Sequence, residues 1–600
     1  MLTNKGTRLN IFILLMVVAI AGTAAGQTIY VDAGATGTPD GSSWANAYLS
    51  LQDALAAVAE GATILVAEGT YTPDQGGGQT PGDRYATFQL ISGVAIYGGF
   101  PSGGCPWEDR DPIAYETILS GDLNADDVQV LVTELLSEPT RGENSYHVVT
   151  GNHTDATAII EGFTITAGNA NGLYPIYWGG GMYNNNGSPT VTNCAFRGNS
   201  ASEFGGGMFN RYSISILTNC TFSANSASTL GGGMKNEYGS PTVTNCAFRG
   251  NCARFGGGME LYSDEARLTN CTFSGNSASE AGGGLYINNN NNASPTVMTN
   301  CTFSGNSASA YGGGMFIRNN SSPVLTNCSF ARNSANYGNG LACSYDSWSF
   351  PNTIKLTNCI LWDGGDEIYD RDGGSTINIT FSDVQGGGSD PGGNNIDAAP
   401  LFVDADGFDD IVGTADDNLR LSPGSPCIDA GDNSAVPALV VTDLDGNPRF
   451  VDCPDIPDTG NGAPPIVDIG AYEVIIAPVI QVVIDIKPGS YPNPINLGSY
   501  GLIPVAILSS EDFDATTVDP ESVELAGAGV AVRGKSNKYM AHQEDVNGDG
   551  LVDLMAQVAT ENLDPDSFQD GFAILTGNLF EEFGGTLIEG ADEITIVPQE

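Results

Sequence analysis

The donor chemistry of a hard cation is concentrated in one nine-residue stretch, Asp545-Val546-Asn547-Gly548-Asp549-Gly550-Leu551-Val552-Asp553. Side-chain oxygens recur at its first, third, fifth and ninth positions. A glycine at the sixth lets the backbone turn sharply, and the carbonyl of Leu551 occupies the seventh. Oxygen-only donors at that spacing suit calcium, so Asp545, Asn547, Asp549, Leu551 and Asp553 are the predicted metal site. The twelfth position is Ala556 where a bidentate carboxylate would complete a helix-loop-helix site, so a further ligand, such as Glu544, must come from elsewhere. The competing reading is a bare loop of Asx turns. Two looser acidic groups, Asp122/Asp126/Asp127 and Asp404/Asp406/Asp409, read more simply as solvated loops.

What would position reactive groups elsewhere is a repeat. A Thr-Asn-Cys triplet ends at Cys194, Cys220, Cys246, Cys271, Cys301, Cys328 and Cys359, at intervals of 26, 26, 25, 30, 27 and 31 residues. Between the triplets stand Gly-Gly-Gly runs starting at Gly179, Gly205, Gly231, Gly256, Gly282 and Gly312, each followed by Met or Leu. Such a period means stacked supersecondary units, and units so short and so rich in Gly, Asn and β-branched residues have room only for short strands joined by turns. The predicted fold is therefore all-β, a parallel β-helix solenoid. Cys194 and Phe196 share a strand face, but Val191 lies three residues before Cys194, so the chain must turn between them at Asn193. Asparagine tolerates the left-handed backbone of such a corner. Asn193, Asn219, Asn245, Asn270, Asn300, Asn327 and Asn358 are expected to stack there as a hydrogen-bonded ladder.

The same geometry bears on the twelve cysteines. Equivalent residues on adjacent coils sit about 4.8 Å apart with parallel Cβ vectors, which does not suit a disulfide, so the seven triplet cysteines read as a column of buried thiols. Five remain, Cys105, Cys252, Cys343, Cys427 and Cys453; Cys427 and Cys453, together in one small segment outside the repeat, are the disulfide candidates. With Met182, Met208, Met234, Met259, Leu285 and Met315 pointing inward, the next residues face outward: Tyr183, Phe209, Lys235, Glu260, Tyr286 and Phe316. Tyr183, Phe209, Tyr286 and Phe316 form a candidate platform on which sugars or partner proteins would stack. The alternative is a column covered by a neighbouring loop or helix.

The segments Phe196-Arg197-Gly198-Asn199, Phe222-Ser223-Ala224-Asn225, Phe248-Arg249-Gly250-Asn251 and their successors, with the glycine runs, resemble the repeat of chlamydial-type polymorphic outer-membrane proteins over roughly residues 160–345. A third Gly before Met or Leu departs from that pattern, and the membrane β-barrel of autotransported members is not expected. More broadly, the chain is similar to pectin-lyase-like β-helix proteins, which implies right-handed coiling. Ser425-Pro426-Cys427-Ile428-Asp429-Ala430-Gly431-Asp432, Asp443-Leu444-Asp445-Gly446-Asn447-Pro448-Arg449 and Val467-Asp468-Ile469-Gly470-Ala471-Tyr472-Glu473 resemble the choice-of-anchor Q end module of secreted bacterial proteins. Ile486-Lys487-Pro488-Gly489-Ser490 resembles the opening of a C-terminal module of bacterial exported proteins, and the Asp545 loop is similar to dockerin and integrin-type calcium loops. A shared fold carries no activity. Lyases on this fold need carboxylates that hold calcium and an Arg or Lys base, and hydrolases need paired carboxyls at a cleft. Here His147, His153 and His542 lie in no matching motif, and Arg197 and Arg249 read as solvated charges.

Residues 1–26 read as a signal peptide: Lys5 and Arg8 precede an apolar run over 11–21 and then small residues, and that run is too short for the roughly 20 residues of a membrane span. Residues 27–400 are expected to form the β-helix, with an N-terminal cap over 27–75 and regular repeats over 160–360. Residues 401–477 form the end region, and 480–600 a small C-terminal β-sandwich. With 21 basic and 70 acidic residues, the net charge of −49 excludes an electrostatic nucleic-acid binder. The expectation is a secreted or surface-displayed, calcium-stabilised protein that binds polysaccharide or a cell-surface partner without catalysis and has no membrane span in its mature chain. The alternative is a polysaccharide lyase or glycoside hydrolase with its site near residues 80–160.

Overall fold

The computed structural model describes residues 26–262, 265–289, 295–387, 393–454, 456–475, 479–534, 538–568, 571–580, 583 and 585–597. The predicted signal peptide, but for its last residue, lies outside them. The chain divides into two compact units, Met1–Val474 and Ile475–Glu600. None of the described helices is long and apolar enough to cross a membrane.

The first unit is a parallel solenoid walled by three long sheets. Sheet 1 has twelve strands, from Thr28–Val31 to Thr376–Thr380; sheet 2 has eleven, from Gly69–Tyr71 to Asp383–Val384; sheet 3 has ten, from Phe88–Gln89 to Ile368–Asp370. A strip of six two- to five-residue strands, Asn169–Ala170 to Ser307–Ala308, lies between sheets 2 and 3 along the chain. One coil passes through Met182–Asn185 in sheet 3, Thr190–Thr192 in sheet 1, Ala195–Arg197 in sheet 2 and Ser200–Ala201 in the strip. The segment before the repeats already belongs to this wall, because Thr28–Val31 pairs in parallel with Thr63–Ala67. Between them, the helix Leu51–Ala57 is N-capped by Ser50 and buries Leu51, Ala54 and Leu55 against the core.

The corner between sheets 1 and 2 is the predicted one. Asn193 through Asn358 hold φ between 51° and 55°, and Asn219 donates through Nδ2 to Asn193 Oδ1 at 3.0 Å, Asn300 to Asn270 at 3.0 Å and Asn358 to Asn327 at 3.0 Å. Inside, the seven triplet thiols are buried and unpaired beside a stack of Phe196, Phe222, Phe248, Phe273, Phe303 and Phe330 whose ring centroids are 4.4–4.9 Å apart. The third glycine of each run now has a cause. Gly205, the first of its run, has φ +64°; a Cβ on Gly206 would meet Ser226 O at 2.4 Å, and one on Gly207 would meet Gly233 O at 2.5 Å. Successive coils thus approach too closely for any side chain there.

A second asparagine ladder runs inside the turn after sheet 2. Asn199, Asn225, Asn251, Asn276, Asn306 and Asn333 are buried, and each donates both its backbone N–H and its Nδ2 to Oδ1 of the next, for example Asn251 to Asn276 at 3.0 and 2.9 Å. The ladder ends on Asp363 Oδ1, which accepts from Asn333 at 2.7 and 2.8 Å. Residues 401–454 and 456–474 lie along the outside of the last coils: Gly470 donates to Asn358 O at 2.9 Å, Ala471 to Ser329 Oγ at 3.0 Å, and Asn300 to Thr442 O at 2.9 Å.

The second unit is a β-sandwich. Val483–Ile486, Leu502–Leu508, Asp553–Ala559 and Ala541–Glu544 form one antiparallel sheet. Phe572–Asn578 and Leu587–Ile596 pair as the long hairpin of the other, and a core including Ile486, Val505, Val558, Leu575 and Ile588 fills the space between.

Candidate functional site

Strand alternation puts the residue after each inward methionine, and the one two further on, on the outer face of sheet 3. Register makes both into columns: Phe209↔Lys235↔Glu260↔Tyr286↔Phe316, and beside it Arg211↔Glu237↔Tyr262↔Asn288↔Arg318. The first column points outward as predicted but is not an open platform. Tyr183, Phe209, Tyr286 and Phe316 are 6, 0, 3 and 4% exposed. Their cover is supplied by the residues directly before the glycine runs. Trp178 lies over Phe209 with centroids 5.0 Å apart, Phe255 over Tyr286 at 5.4 Å and Tyr311 over Phe316 at 5.7 Å, while the His147 ring stacks on Tyr183 at 4.9 Å. The proposed stacking surface is therefore corrected to a buried aromatic layer. The signal was in the sequence, since Trp178, Phe204, Leu230, Phe255 and Tyr311 recur at the position before the first glycine.

The layer is interrupted where the column carries charge. Lys235 Nζ meets Glu260 Oε2 at 2.6 Å, with side chains 3 and 1% exposed, and the ammonium also sits 4.8 Å from the centre of the Phe204 ring. Glu260 Oε1 is buried without a hydrogen-bond partner, and burial pushes the carboxyl up to about 6 against the pull of Lys235. Above this pair opens a cavity of about 340 Å³, with Tyr238, Tyr262 and Phe255 as aromatic walls and Glu237 and Arg318 at its edge. Glu237 lies 3.8 Å from Arg211, and Arg318 lies 2.6 Å from Asp346. Two cations and two carboxylates balance there in a protein of net charge −49, so an uncharged or acidic chain is not repelled locally. The second column is not legible as a repeat because its members, Asn185, Arg211, Glu237, Tyr262, Asn288 and Arg318, do not keep one residue type from coil to coil.

A larger hollow of about 740 Å³ lies beside the irregular coils, where Arg110 and Arg197 meet Glu161 and Glu116, each at 2.9 Å. Both guanidinium groups are thus held by carboxylates.

The Asp545 loop is folded as a chain of Asx turns. Asp545 accepts from the amides of Gly548 at 2.7 Å and Gly550 at 3.0 Å, Asn547 from Asp549 at 3.0 Å, and Asp549 from Leu551 at 2.8 Å. Asp553 is fully buried, and its two oxygens accept the Ser509 and Val546 amides at 2.8 and 2.9 Å. The donor set suits a hard cation, since a carboxylate oxygen that accepts one amide keeps a lone pair for an ion, but Asp553 is fully buried whereas Asp545, Asn547 and Asp549 are exposed. The ligands at hand are Asp545, Asn547, Asp549 and the Leu551 carbonyl.

Cys427 and Cys453 are not joined, which corrects the expected disulfide; among the described residues, which include all twelve cysteines, none is bridged. The two thiols turn to different partners: Cys427 Sγ donates to Asp383 Oδ2 at 3.3 Å and Cys453 Sγ to Val474 O at 3.6 Å. Around them lies a knot of buried charge. Arg449, wholly buried, is 3.1 Å from Glu473 and donates to the carbonyls of Asp468 at 3.0 Å and Gly470 at 2.7 Å. Burial raises the Asp468 carboxyl to about 7 and that of Glu473 well above its usual range.

The β-helix region has a counterpart among known protein families. A family model described as "Right handed beta helix region" matches residues 253–385. Among solved structures, "Crystal structure of pectate lyase Pel9A" is similar at 16% identity and a TM-score of 0.40, with 75% of this chain and 97% of that chain covered. No curated protein matches the sequence. The chain is a right-handed parallel β-helix followed by a small β-sandwich.

Proposed function

We propose that this is an exported, non-catalytic β-helix protein that binds polysaccharide at or outside the cell surface, with calcium in the Asp545 loop stabilising the second unit. The observation that carries the reading is the cavity on the outer face of sheet 3, where aromatic walls surround balanced charges over the Lys235–Glu260 pair. Rings supply flat apolar faces for sugar C–H groups, and Arg318 and Glu237 supply directional hydrogen bonds to hydroxyls or carboxylates. A cell-surface protein presenting the same mixture is the other ligand class.

Catalysis has one observation in its favour: a carboxyl raised to about 6, beside Glu237, suits a general acid at neutral pH. Against it, Glu260 Oε2 and Lys235 are occupied by each other at 2.6 Å. Purified protein, screened with calcium against neutral and acidic polysaccharides, should retain one class on a column and release no shortened or unsaturated products. Product formation abolished by Glu260→Gln would establish the lyase or hydrolase instead.

A further inference from the structure

The Met1–Val474 unit holds a group of acidic oxygens unrelated to the Asp545 loop. Asp429, Asp452 and Asp458 each place one carboxylate oxygen within 4.8 Å of the others. Oxygens sharing one calcium ion at 2.3–2.6 Å lie at most about 5 Å apart, so the span accommodates a single ion. Clustering alone says little in so acidic a chain.

What distinguishes the group is the state of Asp429. Its side chain is 0% exposed; Oδ2 accepts the Cys453 amide at 3.3 Å, and Oδ1, equally buried, has no hydrogen-bond partner. A buried acceptor without a donor is destabilising, the more so when it is charged. The cationic side chains nearest in sequence are already committed, Arg420 to Asp445 at 2.5 Å and Arg449 to Glu473 at 3.1 Å. The backbone, in turn, brings the other two carboxylates to Asp429. Asp429 has φ +51°, and its carbonyl accepts the amides of Thr459 at 2.9 Å and Gly460 at 3.1 Å, which ties the loop over 456–460 to it. Asp452 and Asp458 are both exposed to solvent.

We infer that Asp429 Oδ1, with one carboxylate oxygen each from Asp452 and Asp458, coordinates a calcium ion whose remaining positions are filled by water. The ion supplies the missing partner for the buried oxygen and pins the flank. The Asp429 amide also donates to Asp468 Oδ1 at 2.8 Å, within the knot around Arg449. Calcium there would therefore stiffen the whole segment that covers the last coils.

The test is calcium uptake by the full chain, measured by equilibrium dialysis after chelation, in a background carrying Asp545→Asn and Asp549→Asn so that the C-terminal loop is silenced. Calcium should still bind and should slow proteolytic cleavage between residues 452 and 460. Asp452→Asn with Asp458→Asn, both at exposed positions, should weaken that binding by about tenfold or more and remove the protection. Asp429→Asn should do the same if it folds; if it does not, the exposed pair decides. Absence of calcium uptake in the silenced background, or uptake and protection unchanged in the exposed pair, would overturn the assignment. Neither result bears on polysaccharide binding at sheet 3.

Discussion

The solenoid and the flank over residues 401–474 bury polar groups by opposite means. In the regular coils of the solenoid, apart from the Lys235–Glu260 pair and the terminal Asp363, the repeated buried groups are neutral amides that satisfy one another from coil to coil, as in the run from Asn199 to Asn333. In the flank they are charges: Arg449 and Glu473 are both 0% exposed in their side chains, and Asp429, Asp443 and Asp468 are buried close by. Repetition lets one residue type serve as donor and acceptor at every step. A segment that occurs once has no neighbour of its own kind and must bring a counter-charge or a bound ion. The two regions therefore differ in what breaks them. Loss of a ladder amide leaves neighbours short of single bonds, whereas loss of one flank charge leaves another buried and unpaired.

The largest effect is expected at Arg449. Arg449→Met should lower stability by about 4 kcal/mol, because Glu473 and Asp468 lose their cation in a dry site, and the loss should fall selectively on protection of residues 425–474 in hydrogen exchange. Next comes the one charged break in sheet 3. Glu260→Leu should cost about 3 kcal/mol by stranding Lys235, while Lys235→Met with Glu260→Leu should return to within about 1 kcal/mol of the parent. Failure of the double variant to recover would mean that the pair does more for stability than charge balance. Within the ladder, Asn251→Leu should cost about 2 kcal/mol, since Phe222 O loses a donor at 2.9 Å and the Asn225 amides lose their acceptor at 3.0 Å. A ladder variant that proved costlier than Arg449→Met would reverse the contrast.

The smallest effect is one of pH. Chiefly by burial, folding raises the carboxyls of Asp468 to about 7 and of Asp383 and Glu260 to about 6. A carboxyl whose folded value lies above its unfolded value binds its proton more tightly when folded, so its contribution is full below the unfolded value and lost as pH climbs through the folded one. With calcium chelated, the melting transition of the first unit in the full chain should rise by a few degrees as pH falls from about 7.5 to about 5. A fall over that range would show that ionised, paired carboxylates dominate instead.

The same contrast explains what could be read in the sequence. The coil period, the turn at Asn193 and the inward methionines were legible because each statement was written several times over. Parity also showed correctly that Tyr183 and its equivalents face outward. It gave no information on what lies across them, although the aromatic residues before the glycine runs carried that signal. The pairing of Lys235 with Glu260 was visible as neighbouring members of one column, but its burial depends on the covering layer. In the flank nothing repeats. Asp429 and Asp452 are 23 residues apart, and Arg449 and Glu473 are 24 apart, so only the folded chain brings them together. The expected Cys427–Cys453 bridge failed for the same reason: proximity in an irregular segment does not specify orientation.

The outer face of sheet 3 is the proposed binding surface, and it is proposed to bind without chemistry. The most direct measurement is the affinity of the retained polysaccharide for the full chain and for Tyr262→Ala with Arg318→Ala, at positions outside the core. Binding should weaken about tenfold or more in the double variant with an unchanged melting transition, and the polysaccharide recovered from the parent protein should keep its full length. Equal affinity in the two proteins, or shortened polysaccharide after incubation with the parent, would contradict it.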